Sequence, residues 1–278
     1  ARRARDRGLT SVLVTFEPHP LEVINPQAAP PLLTLADEKR AILAQSAVDR
    51  VAFVPFTPAL RDYAPERFVR EILERRFHIA ELVIGYDHGF GRGRTGDVEL
   101  LRRIGSEDGF AVDVVPAVLL DGRAISSTMI RRAVAGGDLE TAAKALGRWY
   151  SVSGEVARGA GRGRSIGVPT VNLASPSPRK LLPPDGVYAA RVAWRGGERL
   201  AMLNLGPRPT FGEMARVVEA HLFDFDGELY GEHLSVEFVR RLRDVQRFAS
   251  AQELRAQLDA DRQAALLALR NAARPVTF

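Results

Sequence analysis

The residues with the clearest chemical potential are Pro169-Thr-Val-Asn172 and the stretch just before them. That stretch holds Gly159, Gly161, Gly163 and Gly167, with Arg162 and Arg164 interspersed. Glycines let a backbone come close to a ligand, and backbone N–H groups beside arginines suit phosphate oxygens. On an extended segment Thr170 and Asn172 share one side, because alternate residues of a strand do. A hydroxyl and an amide carbonyl on that side suit a hard cation such as Mg²⁺. Glycine and arginine alone describe an ordinary surface loop. The Pro-Thr-x-Asn run behind them is what argues for a bound phosphate and metal.

Glu219 lies in VVEAHLFDFDGELYG (217–231). On a strand, Glu219 and His221 share a face with Val217 and Phe223. A carboxylate on a largely apolar face is costly unless it is paired or used, which makes Glu219 a candidate general base. Asp224, Asp226 and Glu228 read more simply as solvated acids of a turn. Their spacing is not that of a calcium-binding helix-loop-helix.

Three further segments carry polar groups at element ends. Glu17-Pro-His-Pro20 follows an apolar run, so His19 sits where an open α/β sheet binds ligands; the plainer reading is a structural, hydrogen-bonded histidine. GYDHGFGRGRTGD (85–97) has close-approach glycines, Arg92 and Arg94 to hold an anion, and Asp87 to contact a ring N–H, a hydroxyl or a metal. ISSTMIRR (125–132) places Ser126, Ser127 and Thr128 at a helix N-terminus, with Arg131 one turn in. The free N–H groups and dipole there favour phosphate, and a helix cap alone needs only one hydroxyl.

These residues need elements to position them. Strands are expected over Ser11–Phe16, Arg50–Pro55, Glu81–Gly85 and Ala111–Pro116. Helices are expected over Asp37–Val48, Pro65–Phe77, Asp97–Gly109, Ser127–Ala135 and Leu139–Leu146. This alternation predicts a parallel sheet with covering helices, ligands lying at the strand C-terminal ends. Beyond Trp149-Tyr150 the segments become short, β-rich and broken by Gly and Pro, with Gly196-Gly197 marking a hairpin. They predict an antiparallel sheet or small barrel. Ser250 and Glu253 then read as the capping box of a helix through about Arg270. The domain boundary falls at about residue 149, giving domains 1–148 and 149–278.

Composition narrows the classes. The 278 residues are 46% hydrophobic, enough for one large or two ordinary domains with real cores. There are no cysteines, which excludes disulfides and thiolate metal sites and fits a cytoplasmic protein. No apolar run is long enough to cross a membrane. The net charge is +5, and it attracts polyanions in general. No aromatic-interleaved basic stripe accompanies it, so RNA binding is only a rival reading.

Taken in order, seven segments resemble the prokaryotic bifunctional riboflavin kinase/FAD synthetase family: TFEPHP (15–20), GYDHGFGRGRTGD (85–97), ISSTMIRR (125–132), GRSIGVPTVNL (163–173), LLPPDGVYAARV (181–192), NLGPRPTFG (204–212) and VEAHLFDFDGELYG (218–231). The resemblance covers essentially the whole chain. It implies an α/β nucleotidyltransferase with a Rossmann-like parallel sheet, which adenylylates FMN to FAD. It also implies a six-stranded antiparallel β-barrel kinase with a C-terminal helix, which phosphorylates riboflavin to FMN. The substrates and cofactors implied are ATP, Mg²⁺, riboflavin, FMN and FAD, without nucleic acid or membrane, and self-association into a homo-oligomer stays open. By resemblance, Thr170 and Asn172 are the Mg²⁺–ATP ligands and Glu219 the base for the ribityl 5′-hydroxyl. The glycines of 159–167, with Arg162 and Arg164, form the phosphate loop. Ser126, Ser127, Thr128 and Arg131 form the adenylyltransferase phosphate site. His19, Asp87 and Phe90 lie near its flavin or nucleotide, where the anion-holding Arg92 also falls by residue type.

Two departures from the family pattern matter. Relatives open with a strand and a Gly-x-Phe-Asp-Gly-x-His-x-Gly-His motif, but the histidines here are His19, His78, His88, His221 and His233. The readings are a truncated sequence or an inactive adenylyltransferase; the absent Met and Arg-rich start favour truncation, with adenylyl transfer impaired in the residues as they stand. Val245 stands where many relatives carry an acidic residue near the flavin. A non-catalytic flavin- or nucleotide-binding regulator is the alternative; Thr170, Asn172 and Glu219 together argue against it.

Overall fold

The computed structural model describes residues 1–87, 89–157, 168–174, 177–210 and 213–275. The expected phosphate-loop residues Gly159, Gly161, Arg162, Gly163, Arg164 and Gly167 lie outside the described residues. Packing divides the chain into two units: Ala1–Pro30 with Lys39–Ala124, and Pro31–Glu38 with Ile125–Phe278.

In the first unit, β1 (Val12–Glu17) pairs in parallel with β2 (Arg50–Pro55), and β3 (Glu81–Gly85) in parallel with β4 (Ala111–Val115). β5 (Leu119–Leu120) and β6 (Arg123–Ala124) make a small antiparallel pair. The parallel strands are those expected, but they form two separate pairs rather than one continuous sheet. Val83 on β3 is accordingly 55% exposed, where a strand inside a covered parallel sheet would be buried.

Helical local structure follows the sequence signals. Asp97 caps the helix Val98–Asp108 by accepting from Leu100 N at 2.9 Å, and Gly109 ends it at φ +86°. Residues 65–77 run helical from Pro65, with a π-helical stretch Val69–Glu74. The expected helix 37–48 is Ala36–Ala44; the chain then turns through i−3 bonds to Ile42 and Leu43 carbonyls. Val69, Ile84, Leu101 and Ile104 centre this unit's core.

The second unit is a closed antiparallel barrel of six strands. They are β7 (Tyr150–Ala157), β8 (Val171–Leu173), β9 (Gly186–Trp194), β10 (Gly197–Thr210), β11 (Glu213–Leu222) and β12 (His233–Arg243). Around the barrel they run β10-β11-β8-β7-β12-β9, closing β9 on β10. The tight β9–β10 turn needs glycine at 196, where a Cβ would meet Trp194 Nε1 at 2.8 Å.

Alternation sorts each strand. Val218, Ala220 and Leu222 of β11 point into the barrel with Tyr188, Ala190, Leu203 and Leu205. On the outer face, Ala189, Met202, Phe223 and Val239 pack against Ala265, Ala268 and Leu269 of the C-terminal helix Ala251–Asn271. Covering both faces explains why β9 reads as a nearly continuous apolar run. Ser250 caps that helix, accepting from Glu253 N at 3.1 Å. Glu253 reaches back one residue further than a capping box requires, to Ala249 N at 3.1 Å.

The packing units divide elsewhere than residue 149. The helices Ser127–Gly136 and Leu139–Leu146 place Ile130, Val134, Leu139 and Ala142 in the barrel's core cluster. Pro31–Glu38 is also stitched to the barrel unit: Leu32 N donates to Arg179 O at 2.7 Å, and Leu181 N to Leu32 O at 2.9 Å. Its last residue, Glu38, pairs with Lys180 at 2.6 Å, both side chains being buried.

Candidate active site

Glu219 stands on the outer face of β11, between the inward-pointing Val218 and Ala220. The carboxylate that looked out of place among apolar neighbours is therefore not in the barrel core. It lines a cavity of about 540 Å³ on the barrel's surface, within the usual size of a small-molecule site. Thr170 donates its hydroxyl to Glu219 Oε1 at 2.6 Å. Asn172 on β8 is the register partner of Glu219. Thr170, Asn172 and Glu219, the sequence-selected residues of this half that are among those described, thus come together.

Register extends the site sideways. Asn172 pairs with Glu219, Glu219 with Asn204, Asn204 with Val187, and Val187 with Arg243. This row crosses five neighbouring strands, and strands lie 4.7–4.9 Å apart, so Glu219 and Arg243 are roughly 14 Å apart along the barrel surface. Arg243 is held bidentate by Asp261 of the C-terminal helix, at 2.8 and 2.7 Å, and Gln257 adds a bond to Asp261 at 2.9 Å. Val245, Phe248, Leu254 and Leu258 give the cavity apolar walls between these polar ends.

Asn204, His221, Arg243 and Asp261 belong to this cavity without having been singled out by residue type. Asn204 was signalled by its segment but not by its role. His221 was placed on the face of Glu219 by alternation alone. Asp261 sits in an amphipathic helix, where an acid reads as solvent-facing; its side chain is 4% exposed.

The residues expected to serve adenylyl transfer fall in both units. In the first, His19 caps the helix Pro20–Ile24: Nδ1 accepts from Leu21 N at 3.2 Å, and Glu22 completes the box. This is the structural role of the plainer reading. Asp87 lies exposed in the turn after β3, and Arg92 is exposed in the 3₁₀ turn Arg92–Arg94. Phe90 is buried in the core, packing beside Phe68 with ring centroids 6.2 Å apart. In the second unit, Ser126 caps the helix Ser127–Gly136 by accepting from Met129 N at 3.2 Å. Ser127 and Thr128 are exposed. Arg131 donates from Nε to Pro31 O at 2.9 Å, and partial burial pulls its guanidinium below the ordinary arginine value.

A closed barrel with an acid-ended, apolar-walled cavity of this size is a site suited to a small molecule. The comparisons with known proteins make this specific. The riboflavin kinase family matches residues 146–269, and the FAD synthetase family residues 1–129. A bifunctional riboflavin kinase/FMN adenylyltransferase of Pseudomonas fluorescens is 38% identical over 260 residues, covering 93% of this chain and 83% of that protein. The protein of the same description from Escherichia coli K12 is 38% identical, covering 92% of this chain and 82% of its own length. A solved structure described as a macrolide-efflux protein from Streptococcus pneumoniae matches with TM-score 0.84 at 29% identity, over 98% of this chain and 87% of that one. The chain belongs to the bifunctional riboflavin kinase/FMN adenylyltransferase family, a family of enzymes that take flavin and nucleotide substrates. Among the described residues, no helix is long and apolar enough to cross a membrane.

Proposed function

We propose that the barrel unit transfers the γ-phosphoryl group of ATP to the ribityl 5′-hydroxyl of riboflavin. In this reading Glu219 is the base, and Thr170 and Asn172 are oxygen ligands of nucleotide-bound Mg²⁺. The observation that carries it is the Thr170–Glu219 hydrogen bond, with Asn172 in register opposite, at the polar end of an apolar cavity. Because Thr170 gives its proton to Glu219, its oxygen lone pairs are left for a cation. A hydroxyl and an amide oxygen fit Mg²⁺, which fills its other positions with water and substrate phosphates. When bound, the cation neutralises charge on the transferred phosphate.

The chain's own residues do the remainder. Glu219 takes the proton of the ribityl hydroxyl as that oxygen bonds to phosphorus and the bond to the ADP oxygen breaks. Val245, Phe248, Leu254 and Leu258 suit the flat fused ring, with Asn204 and Gln246 supplying hydrogen bonds along it. Phosphoryl transfer needs little more than such positioning and charge stabilisation. Asn172→Ala should raise the half-saturating Mg²⁺ concentration about tenfold, the effect of one hydrogen-bond-strength contact to a charged group. An unchanged Mg²⁺ titration of FMN formation would remove Asn172 from the metal site.

The catalytic modules in this reading are 1–148 for adenylyl transfer and 149–278 for the kinase. The Gly159–Gly167 loop is assigned the ATP phosphates on its sequence alone. His19, Asp87, Phe90 and Arg92, with Ser126, Ser127, Thr128 and Arg131, are assigned the nucleotide and flavin of the first module. The absence of cysteine and the use of ATP by both reactions support a cytoplasmic place for them. The 278-residue polypeptide, incubated with riboflavin, ATP and Mg²⁺, should make FMN readily and FAD poorly. The support for weak FAD formation is that β1–β2 and β3–β4 are separate pairs, whereas an open α/β sheet binds its ligand in the crevice at the carboxyl ends of neighbouring strands of one sheet. Chromatography that resolves the two products tests this. FAD equal to FMN would overturn the account of the first module, and neither product from folded protein would overturn the kinase.

A further inference from the structure

We propose that His221 is a positioning residue of the kinase site: it holds the Pro169 carbonyl and thereby fixes the strap that places Thr170 beside Asn172. This rests on the reading of those two residues as cation ligands. The strap is short of backbone support. β8 covers only Val171–Leu173, so Val168–Thr170 run outside any ladder. Pro169 has no N–H to donate, so its carbonyl is the only backbone group through which that residue can be tied. His221 Nδ1 lies 2.7 Å from that oxygen.

The fastening is a matched pair. Glu219 and His221 are two apart on β11 and share its outer face. The first accepts from Thr170 at 2.6 Å, and the second binds Pro169. Between them, Ala220 pairs with Val171 in the ladder. The ring is held in turn by Phe223, edge-on with centroids 5.7 Å apart. Phe223 is buried and carries the Arg262 guanidinium 5.2 Å above its ring. A carbonyl can only accept, so Nδ1 carries the proton and the neutral ring is the Nδ1–H tautomer. His221 also lines the cavity that holds Glu219; its effect on the cation is exerted through Pro169, not by ligation.

Three measurements on the full 278-residue chain test this. Nitrogen-15 NMR of the ligand-free protein should show His221 protonated at Nδ1. Calorimetry should show His221→Phe weakening Mg·ADP binding about three- to tenfold, the scale of one lost hydrogen bond. The KM for Mg·ATP should rise in step, with kcat and the riboflavin KM within about twofold. His221→Asn places an amide N–H close to the Nδ1 position and should restore Mg·ADP binding to within about twofold. An Nε2–H tautomer, unchanged Mg·ADP binding in the Phe variant, or no rescue by Asn would each overturn the proposal. The Asn172→Ala titration separates the layers. If it alone shows no effect, the ligand reading fails while the Nδ1 contact stands. If it weakens Mg²⁺ and His221→Phe does not, only the positioning role fails.

Discussion

Glu219→Gln should lower riboflavin kinase turnover by about 10²–10⁴-fold, the usual effect of removing a general base. The substitution is informative because of what it keeps. Glutamine has the shape of glutamate, and its amide oxygen can still accept the Thr170 hydroxyl that now sits 2.6 Å from Glu219 Oε1. The strap and the cavity therefore survive, and only the basicity is lost. Calorimetric binding of Mg·ADP and the unfolding midpoint should stay close to wild type, while kcat for FMN formation falls. The same variant separates two roles for the carboxylate. If Glu219 acted only by holding Thr170, glutamine would preserve most of the rate and Mg·ADP affinity would carry whatever effect remained. Near-normal turnover would thus take Glu219 out of the proton transfer and leave it a support for the metal strap.

Local signals were legible where chemistry and geometry are local. Arg50–Pro55 and Glu81–Gly85 are strands with the expected limits. Asp97, Gly109 and Ser250 punctuate their helices as their residue types demand. Strand alternation made it legible that Thr170 and Asn172 share one side and Glu219 and His221 another; that the two sets belong to one site was legible only through the family resemblance. Register between strands was not, since nothing local in β10 says that Asn204 will lie opposite Glu219 or that Val187 will bring Arg243 into the row. Asp261 was hidden for a different reason. Amphipathic periodicity assigns an acid to solvent, and only its partner Arg243, eighteen residues away on another element, reverses that. The division of the parallel strands into two pairs was also beyond the sequence. Each strand's composition specifies a buried, extended run but not which edge meets which.

The second large effect concerns a residue far from any reacting atom. Glu38→Gln should cost about 3–5 kcal/mol of stability, the range for breaking a buried ion pair from one side. Glu38 and Lys180 are buried, and their charges meet at 2.6 Å. Both side chains have further partners. Glu38 accepts from Ser153 N at 2.9 Å and Leu35 N at 2.8 Å, while Lys180 donates to Leu33 O at 2.9 Å and lies 4.7 Å above the Tyr150 ring. Burial pulls the Lys180 ammonium below the ordinary lysine value of 10.5, and Glu38 pulls it back up. With Gln at 38 only the downward pull remains. Folded Lys180 then binds fewer protons than unfolded Lys180 between its lowered value and 10.5, so the variant's stability must rise with pH through that window. Urea unfolding at neutral and alkaline pH measures both the loss and its recovery. The double variant Glu38→Gln with Lys180→Met should lose less than Glu38→Gln alone, because it leaves no buried charge unpartnered while the glutamine oxygen can still accept from Ser153 N. A single-variant cost below about 0.5 kcal/mol, as for an ordinary surface substitution, would mean that the pair is solvated. Otherwise the barrel depends on Pro31–Glu38, which the chain supplies over a hundred residues before the first barrel strand. Residues 149–278 expressed without that segment would then lack both Glu38 and the Leu33 carbonyl that hold the Lys180 ammonium.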